Sequence, residues 1–596
     1  MPKTQAIGPW DGGLNLSSSR DLSPFLDNNE LGIALNVQLT PEGFVESRPG
    51  YKVLDAPFNT DSPLPVITIL GTINIQSEYV TVVQVCAADT KIYYVRGDKT
   101  VHYKATFALA TKFTSVLALR NSETSPAAAT EPRGVFIFSG TAANECYRLE
   151  EVPNVTAAAT PTLMSSTLAI PASDFSFAVK DRVFLVHKAS STVYWSATLE
   201  FSLYFREDES TPQGKATGSV KLEPSVDLSD NITSVQFLNN NFYLFKKSSA
   251  FMFTYQADPE NDGYLRKFND DLGAFDSTLF RNTVVVLNNR GVFTVEGTEF
   301  IDIQQKLNLR FETPLDNRSA AVGFISNFNN MLLIGFKTSS SSTKEYHYIL
   351  NGNNRGWTEW DFEYAAPMKL ASPGSNGYFT QYPVGKGIIL HTTFGKSRLI
   401  YSDWKPLPEI YDYSLDGTMT RDAESEKYVR YIPTINVQTR TMLGDSILDY
   451  KKLLRAYVRL YISDLPYEMV GGEWLFSINY NDFYFVSTNP SYVLRPQEAR
   501  TQTYAYDEGM EVSLIPVGEP EPIPYATVVN TYLYKRTYQI PIPQHRVKEF
   551  TFQISRQFTR LEDIVPKNAS ADRPVQAGYY FMLSGFWADY NEKARL

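Results

Sequence analysis

Metal and nucleophile chemistry would have to come from very few residues in this chain. Its five histidines are His102, His187, His347, His391 and His545, and its cysteines are Cys86 and Cys146. They are scattered across strand-like and turn-like stretches, so a structural role is the ordinary reading for each. A nucleophile elbow, a phosphate-cradling glycine loop and a His-Glu-x-x-His zinc helix are all absent. Asp258-Pro259-Glu260-Asn261-Asp262-Gly263 opens like a calcium loop, but Asn269 stands where the twelfth-position Glu belongs. A solvated turn between strands is the ordinary reading. Glycoside cleavage needs paired carboxylates about 5 to 10 Å apart in space, and spacing singles out no pair among the 65 acidic residues.

The turn Asn353-Asn354-Arg355-Gly356-Trp357 is similar to the Asp-box turn of sialidase propellers but lacks its Asp. Such aromatic-closed turns also occur in propellers without catalysis. The sequence therefore predicts no catalytic residue, no metal and no cofactor, and a protein that is not an enzyme.

The formal net charge of −10 argues against a surface that grips nucleic acid, which needs clustered Lys and Arg. Two cysteines rule out a disulfide framework and fit a reducing site of synthesis. No signal-peptide core follows Met1-Pro2-Lys3, and nowhere do about 18 apolar residues run together, so neither export by a cleaved signal nor a membrane segment is expected. At 596 residues the chain exceeds a single core. Its 37 Tyr and 37 Phe suit pleated sheets.

The elements that must position any site are organised by a repeat. Phe237 to Phe253 and Leu279 to Val295 follow one pattern without a gap: Asn240 matches Asn282, Phe242 matches Val284, Leu244 matches Val286, and Phe251 matches Phe293, at a period of 42 residues. Each copy is three short apolar runs joined by polar turns, as in antiparallel hairpins. A looser copy, Val179 to Trp195, carries one extra residue in the turn. A period near 40 to 45 residues is the signature of four-stranded propeller blades.

Seven candidate blades follow, out of an expected six to eight. They centre on Val66–Val95, Phe113–Leu149, Phe175–Trp195, Ile232–Tyr255, Phe275–Val295, Ala320–Trp360 and Tyr378–Trp404. The polar stretches Ser122–Pro132, Val152–Pro171 and Ser339–Thr343 read as surface connections. After Pro408 the strands lengthen and alternate, with Leu454, Ala456, Val458, Leu460 and Ile462 on one face and Arg455, Tyr457, Arg459 and Tyr461 on the other. Trp474, Phe476, Ile478 and Tyr480 share one face of a second such strand, and Phe550, Phe552 and Ile554 one face of a third. That is the pattern of a β-sandwich. The expected fold is all-β: an N-terminal extended arm at 1–55, a β-propeller at 56–408, and a C-terminal antiparallel β-sandwich at 409–596 with a long Pro-rich loop at 489–525. That loop reads either as a contact for a partner or as a flexible surface segment.

The arm strings turn residues around isolated apolar anchors: Gly12-Gly13, the polar segment Ser17 to Asp21, Asn36, and Arg48-Pro49-Gly50. In this order it resembles the N-terminus of phage tail nozzle proteins, the tail tubular protein B family. The resemblance implies a virion structural protein assembled in the host cytoplasm. It implies a ring, usually hexameric, at the distal end of the tail, docked on a tail adaptor or tail tube protein and offering attachment to tail fibres or spikes. Double-stranded DNA would pass through without specific binding. Trp10, Leu14, Leu22, Arg48 and Pro49 are the suspected assembly contacts, because the arm has no periodic apolar face of its own. The competing class is a propeller that binds or cleaves host-surface glycans, as a receptor-binding protein or depolymerase.

Overall fold

The computed structural model is all-β. It describes residues 3–16, 29–47, 51–53, 66–119, 134–197, 203, 205, 217–307, 323–360, 379–402, 435–439, 450–463, 474–481, 491–494, 533–556 and 581–593, short stretches within several of these spans excepted. Among the described residues there is no α-helix. Six sheets have four strands, one has seven and one has ten.

Five of the sheets are uninterrupted antiparallel meanders. Sheet I comprises Val66–Ile75, Glu78–Cys86, Thr90–Arg96 and Val101–Phe107, and sheet II comprises Ser115–Leu119, Gly134–Phe138, Cys146–Glu150 and Thr162–Leu163. Sheet III holds Phe175–Val179, Arg182–His187, Thr192–Trp195 and Gly218–Lys221. Sheet IV holds Ile232–Leu238, Asn241–Lys246, Ala250–Thr254 and Tyr264–Asn269, and sheet V holds Asp276–Phe280, Thr283–Asn288, Gly291–Glu296 and Glu299–Asp302. Sheet VI starts the same way with Gly323–Phe328, Met331–Lys337, Glu345–Asn351 and Trp357–Glu359, then runs on into the ten-stranded sheet. Sheet VII has only three consecutive strands, Phe379–Gln381, Gly387–Thr393 and Lys396–Ser402. Its fourth place is taken by Tyr51–Val53 from the N-terminal region.

The 42-residue repeat has a backbone cause. Leu238 pairs with Asn241 and Phe280 with Thr283, leaving two-residue loops whose members all have positive φ: Asn239 at 50° and Asn240 at 62°, Arg281 at 51° and Asn282 at 59°. Two left-handed residues in a row match the right-handed twist of the flanking strands, and the short Asn amide tolerates that conformation best. The third copy differs in strand length rather than in a turn. Leu185 pairs with Tyr194, whereas Leu244 pairs with Phe251, yet the turn beyond His187–Thr192 has four residues, as does the turn beyond Phe245–Ala250, so the ladder of sheet III runs one pair further.

The unbroken apolar character of each second strand also has a cause, since both faces are covered. Phe242 and Leu244 pack toward sheet III while Tyr243 and Phe245 pack toward sheet V. Val284 and Val286 face sheet IV, and Val285 and Leu287 face sheet VI. Each core therefore lies between consecutive sheets rather than inside one of them. First strands of neighbouring sheets are stitched side by side. Ser176 Oγ donates to Val116 O at 3.2 Å, Gln236 Nε2 donates to Ser277 O at 2.8 Å, and Asn327 Nδ2 donates to Leu279 O. Together with Thr114 Oγ1 to Ser173 O, Thr233 Oγ1 to Ala274 O and Ile325 N to Asp276 Oδ2, the partners rise together in number. Within each joined set, II with III and IV with V and VI, the first strands run parallel and start at the same end.

The ten-stranded and seven-stranded sheets complete the molecule. Ile435–Thr439, Glu549–Arg556, Trp474–Asn481 and Ser491–Leu494 extend sheet VI. Tyr450–Ser463 lies between Leu533–Pro541 and Phe581–Lys593 in the other sheet. Rings from the two sheets meet: Phe586 is 5.9 Å from Phe476 and 5.5 Å from Phe552. Phe476 and Ile478, and Phe550, Phe552 and Ile554, are buried as their alternation predicts. The Leu454 assignment is corrected. A β-bulge sits between Leu453 and Arg455, so Leu453 is buried and Leu454 is only partly so, while Ala456 and Val458 resume the expected phase.

Candidate functional site: the seat of the N-terminal arm

The N-terminal residues do not run along the surface. Gly13–Leu14 and Glu30–Leu35 pair in parallel with each other and with Trp357–Glu359, and Glu30–Leu35 then pairs with Ile435–Thr439. The arm thus bridges sheet VI and the C-terminal strands. On the other sheet Lys3–Ile7 and Val45–Ser47 both line the free edge of Phe581–Lys593, the first against Phe586 to Tyr590 and the second against Met582 and Leu583.

Two glycines allow the crossing. Gly13 has φ +67°, and a Cβ there would lie 2.6 Å from Gly356 Cα and from Trp357 N. A Cβ on Gly356 would strike Leu39 Cδ1. The Gly12-Gly13 motif and Gly356-Trp357 are therefore one contact, close because neither backbone carries a side chain at the crossing; the rest of that turn, 353–355, lies outside the described residues. Asn36, buried with φ 57°, makes the bend between Glu30–Leu35 and Val37–Leu39 and donates its backbone N–H to Glu359 O at 2.8 Å.

Polar side chains hold the arm down. Lys306 Nζ donates to Gly12 O at 2.6 Å and lies 3.1 Å from Glu30 Oε1, while Asn15 Nδ2 donates to Glu30 Oε2 at 2.7 Å. Asn351 Nδ2 donates to Leu39 O at 2.5 Å and Trp360 Nε1 to Val37 O at 2.9 Å. None of Lys306, Glu30, Asn351 or Trp360 was singled out from sequence, because their partners are remote in the chain and no local spacing marks them.

Of the suspected assembly contacts, Trp10 and Leu14 are fully buried within the chain's own core. The Trp10 ring meets Phe586 edge-on at 5.7 Å, and its backbone N–H donates to Gly43 O at 2.6 Å. Their apolar groups are covered by C-terminal strands, so no second subunit is required to shield them. Leu22, Arg48 and Pro49 lie outside the described residues, as do the calcium-like stretch 258–263 and most of the 489–525 loop.

The remaining chemistry is structural in its contacts. Lys104 sits at a bulge in the last strand of sheet I, fully buried. Its Nζ donates to Glu150 Oε1 at 2.6 Å, to Ala157 O at 2.6 Å and to Asn154 O, and stands 4.5 Å from the Tyr94 ring centre. Burial lowers the Lys104 ammonium pKa, against the opposing pull of Glu150. Burial and the Glu150 carboxylate together push the Tyr94 phenol well up. Every donor of this ammonium is used, so it fastens the 154–157 segment to sheets I and II rather than waiting for a ligand. His187 Nδ1 lies 2.9 Å from Ser190 Oγ, His102 Nε2 lies 3.3 Å from Thr100 Oγ1, and His347 is buried. His391 lies on Gly387–Thr393, and His545 is outside the described residues. Burial pushes the Cys146 thiol up. Among the described residues no His, Cys, Asp and Glu group gathers in a metal-holding arrangement, and no helix is long and apolar enough to cross a membrane.

No protein-family model matches the chain, and no curated protein matches it. Solved structures do align with it. A candidate 6-phosphogluconolactonase from Bacteroides uniformis aligns at 12% identity, covering 55% of this chain and 89% of that one, with a TM-score of 0.33. The AfRom2 CNH domain aligns at 11% identity, covering 60% of this chain and 100% of that one, with a TM-score of 0.27. The S. cerevisiae core factor aligns at 10% identity, covering 62% and 61%, with a TM-score of 0.32. At these values the likeness establishes neither a shared fold nor a shared function.

Proposed function

We propose that the chain is a structural protein of a phage tail, a subunit of the distal nozzle ring around the DNA exit channel. In this reading sheets I to VII are the blades of a seven-bladed propeller, closed where Tyr51–Val53 completes the last blade. The two larger sheets face each other as a sandwich. The observation that carries the reading is the course of the arm. Its Gly-Gly, Asn and Arg-Pro-Gly pieces, which resemble the nozzle family in order, fall respectively at the sheet VI crossing, at the bend of Asn36, and immediately before the strand that joins sheet VII.

An arm that enters both large sheets and sheet VII ties them together, which suits a part that must transmit load along a tail without catalysis. The subunit associates with copies of itself, with a tail adaptor or tube protein and with fibres or spikes, in the virion. Electron microscopy of the purified protein tests this: rings or a ladder of oligomers are expected, and a uniform monomer at all concentrations overturns it. Duplex DNA titrated at about 150 mM salt should bind no better than non-specifically, and a sub-micromolar dissociation constant would replace a sliding channel with a gripping one.

A further inference from the structure

Residues 105–111 and 154–169 contain no Asp, Glu, Lys, Arg or His, in a chain where 20% of residues are charged. They form one surface. Ala159 donates its backbone N–H to Lys104 O at 2.8 Å, and Lys104 Nζ donates back to Ala157 O at 2.6 Å. The Phe107 ring lies 5.0 Å from the Tyr147 ring, and Tyr147 pairs with Leu163 on the outer strand of sheet II. Of the two segments only Ala105 is buried; every other residue is half-buried or exposed.

The surface is apolar as well as uncharged. Five large apolar side chains stand exposed among the described residues, and three of them are here: Leu109 at 45%, Leu163 at 54% and, at the margin, Tyr103 at 42%. The Tyr103 hydroxyl lies 2.8 Å from Thr106 Oγ1, which holds the ring beside the same strand. The other two, Tyr264 and Ile301, sit on strands that also carry exposed Arg266 and Glu299. Single apolar side chains among charges are ordinary on a surface, whereas a contiguous uncharged patch marks a contact.

Size and charge point to the occupant. Segments of seven and sixteen residues together reach the roughly 20 to 30 residues a side of a standard interface. Each copy of the chain carries a formal charge of −10, so two copies repel wherever their carboxylates face each other. A patch without charge lets a second copy approach without setting carboxylate against carboxylate or stripping water from an unpaired ion. Nucleic acid and strongly charged proteins find nothing here to pair with. Trp10 and Leu14 are engaged inside the subunit, which leaves self-association to another surface. We propose that this patch, on the outer strands of sheets I and II, is where one copy of the chain docks on a second copy. The inference names a contact for the self-association proposed above but does not require a closed ring, since a two-fold dimer can use the same patch.

Sedimentation velocity of the full-length protein over a concentration series tests it. The parent should self-associate, and Leu109→Glu and Leu163→Glu should each raise the concentration of half-association about tenfold or more by placing an unpaired charge in the contact. Leu163→Lys should do the same although it lessens the net negative charge, which separates a lost contact from general repulsion. Ile301→Glu, on the outer strand of sheet V, should leave association unchanged, and an equal loss there overturns the inference. Thermal midpoints within a few degrees of the parent confirm that the variants are folded; Thr162→Lys, which alters no apolar side chain, serves where a Leu163 variant is not. Association that survives all the patch substitutions overturns the inference and leaves the ring standing. A parent that forms only dimers, dissolved by these substitutions, keeps the patch and removes the ring. A parent that stays monomeric at every concentration overturns both.

Discussion

Residues 66–302 and the two large sheets use the same antiparallel strands but assemble them by opposite routes. In the first region every strand pairs with its neighbour in sequence, and each core is shared by consecutive sheets. In the second, Lys3–Ile7 pairs with a strand ending at Lys593, and Gly13–Leu14 lies between strands that begin at Glu30 and Trp357. Local pairing closes short loops at small entropic cost, whereas the arm can be seated only after the last strand exists. The two regions should therefore differ in what a single change can undo.

The largest expected effect breaks the second region alone. Deleting residues 1–16 removes the strand on the Phe581–Lys593 edge and the Trp10 side chain from the core. The strands between 435 and 593 should become protease-sensitive while a fragment spanning 66–302 stays resistant. Trp10→Ala is the milder version, expected to cost about 3 to 5 kcal/mol by urea denaturation. Unchanged protection of the C-terminal strands in the deletion would show that the arm is an accessory and that the contrast between the regions is false.

That contrast also explains what the sequence disclosed. All seven expected blade stretches hold meanders, because paired neighbours impose turn residues and alternation that can be read locally. The outer strands Val101–Phe107, Gly218–Lys221, Tyr264–Asn269 and Glu299–Asp302 escaped notice. With one edge free and much of their side-chain surface in water, they carry mixed polar and apolar residues. For a related reason, the surface that covers the arm's anchors could not be read from the sequence. Trp10 and Leu14 are isolated in sequence because the surfaces that cover them are supplied by residues hundreds of positions away. Leu454 was placed on the wrong face because a single bulge inverts the alternation and leaves no mark in composition. The seat itself was half legible: Gly12-Gly13 and Gly356-Trp357 were each noticed, but nothing in a linear pattern says that they touch.

Two substitutions sharpen the comparison inside the local region. Lys104→Ala leaves Glu150 buried without its ammonium, and losing one partner of a buried pair costs about 3 to 5 kcal/mol. The loss should appear in hydrogen exchange of sheets I and II and not in the C-terminal strands. Leu244→Ala should cost about 2 to 5 kcal/mol and Val286→Ala somewhat less. Both side chains are fully buried and face the preceding sheet. If Leu244→Ala exposes the C-terminal strands as much as sheets III and IV, the local region is not local in its energetics.

The smallest effect is a pH dependence that belongs to the joint between the regions. Asp276 Oδ2 accepts from Ile325 N, so this carboxyl links sheet V to sheet VI, the sheet through which the arm is seated. Its pKa is pushed up from 3.8 to about 6, chiefly by burial, with the Ile325 and Ser277 N–H groups and the Lys188 charge opposing. The folded state thus holds this proton more tightly than the unfolded chain. Between about pH 4 and pH 6 the folded protein binds more protons, so this group's contribution to stability falls as pH rises through that window. Above it the penalty of a desolvated carboxylate persists. Asn cannot ionise and keeps an oxygen to accept from Ile325, so Asp276→Asn should match the parent near pH 4. At pH 7.5 it should exceed the parent by on the order of 1 kcal/mol, the partial solvent contact limiting the gain. Urea midpoints at the two pH values decide it. Parallel curves for parent and variant would mean that water reaches the carboxylate freely, and that the joint between sheets V and VI is open rather than packed.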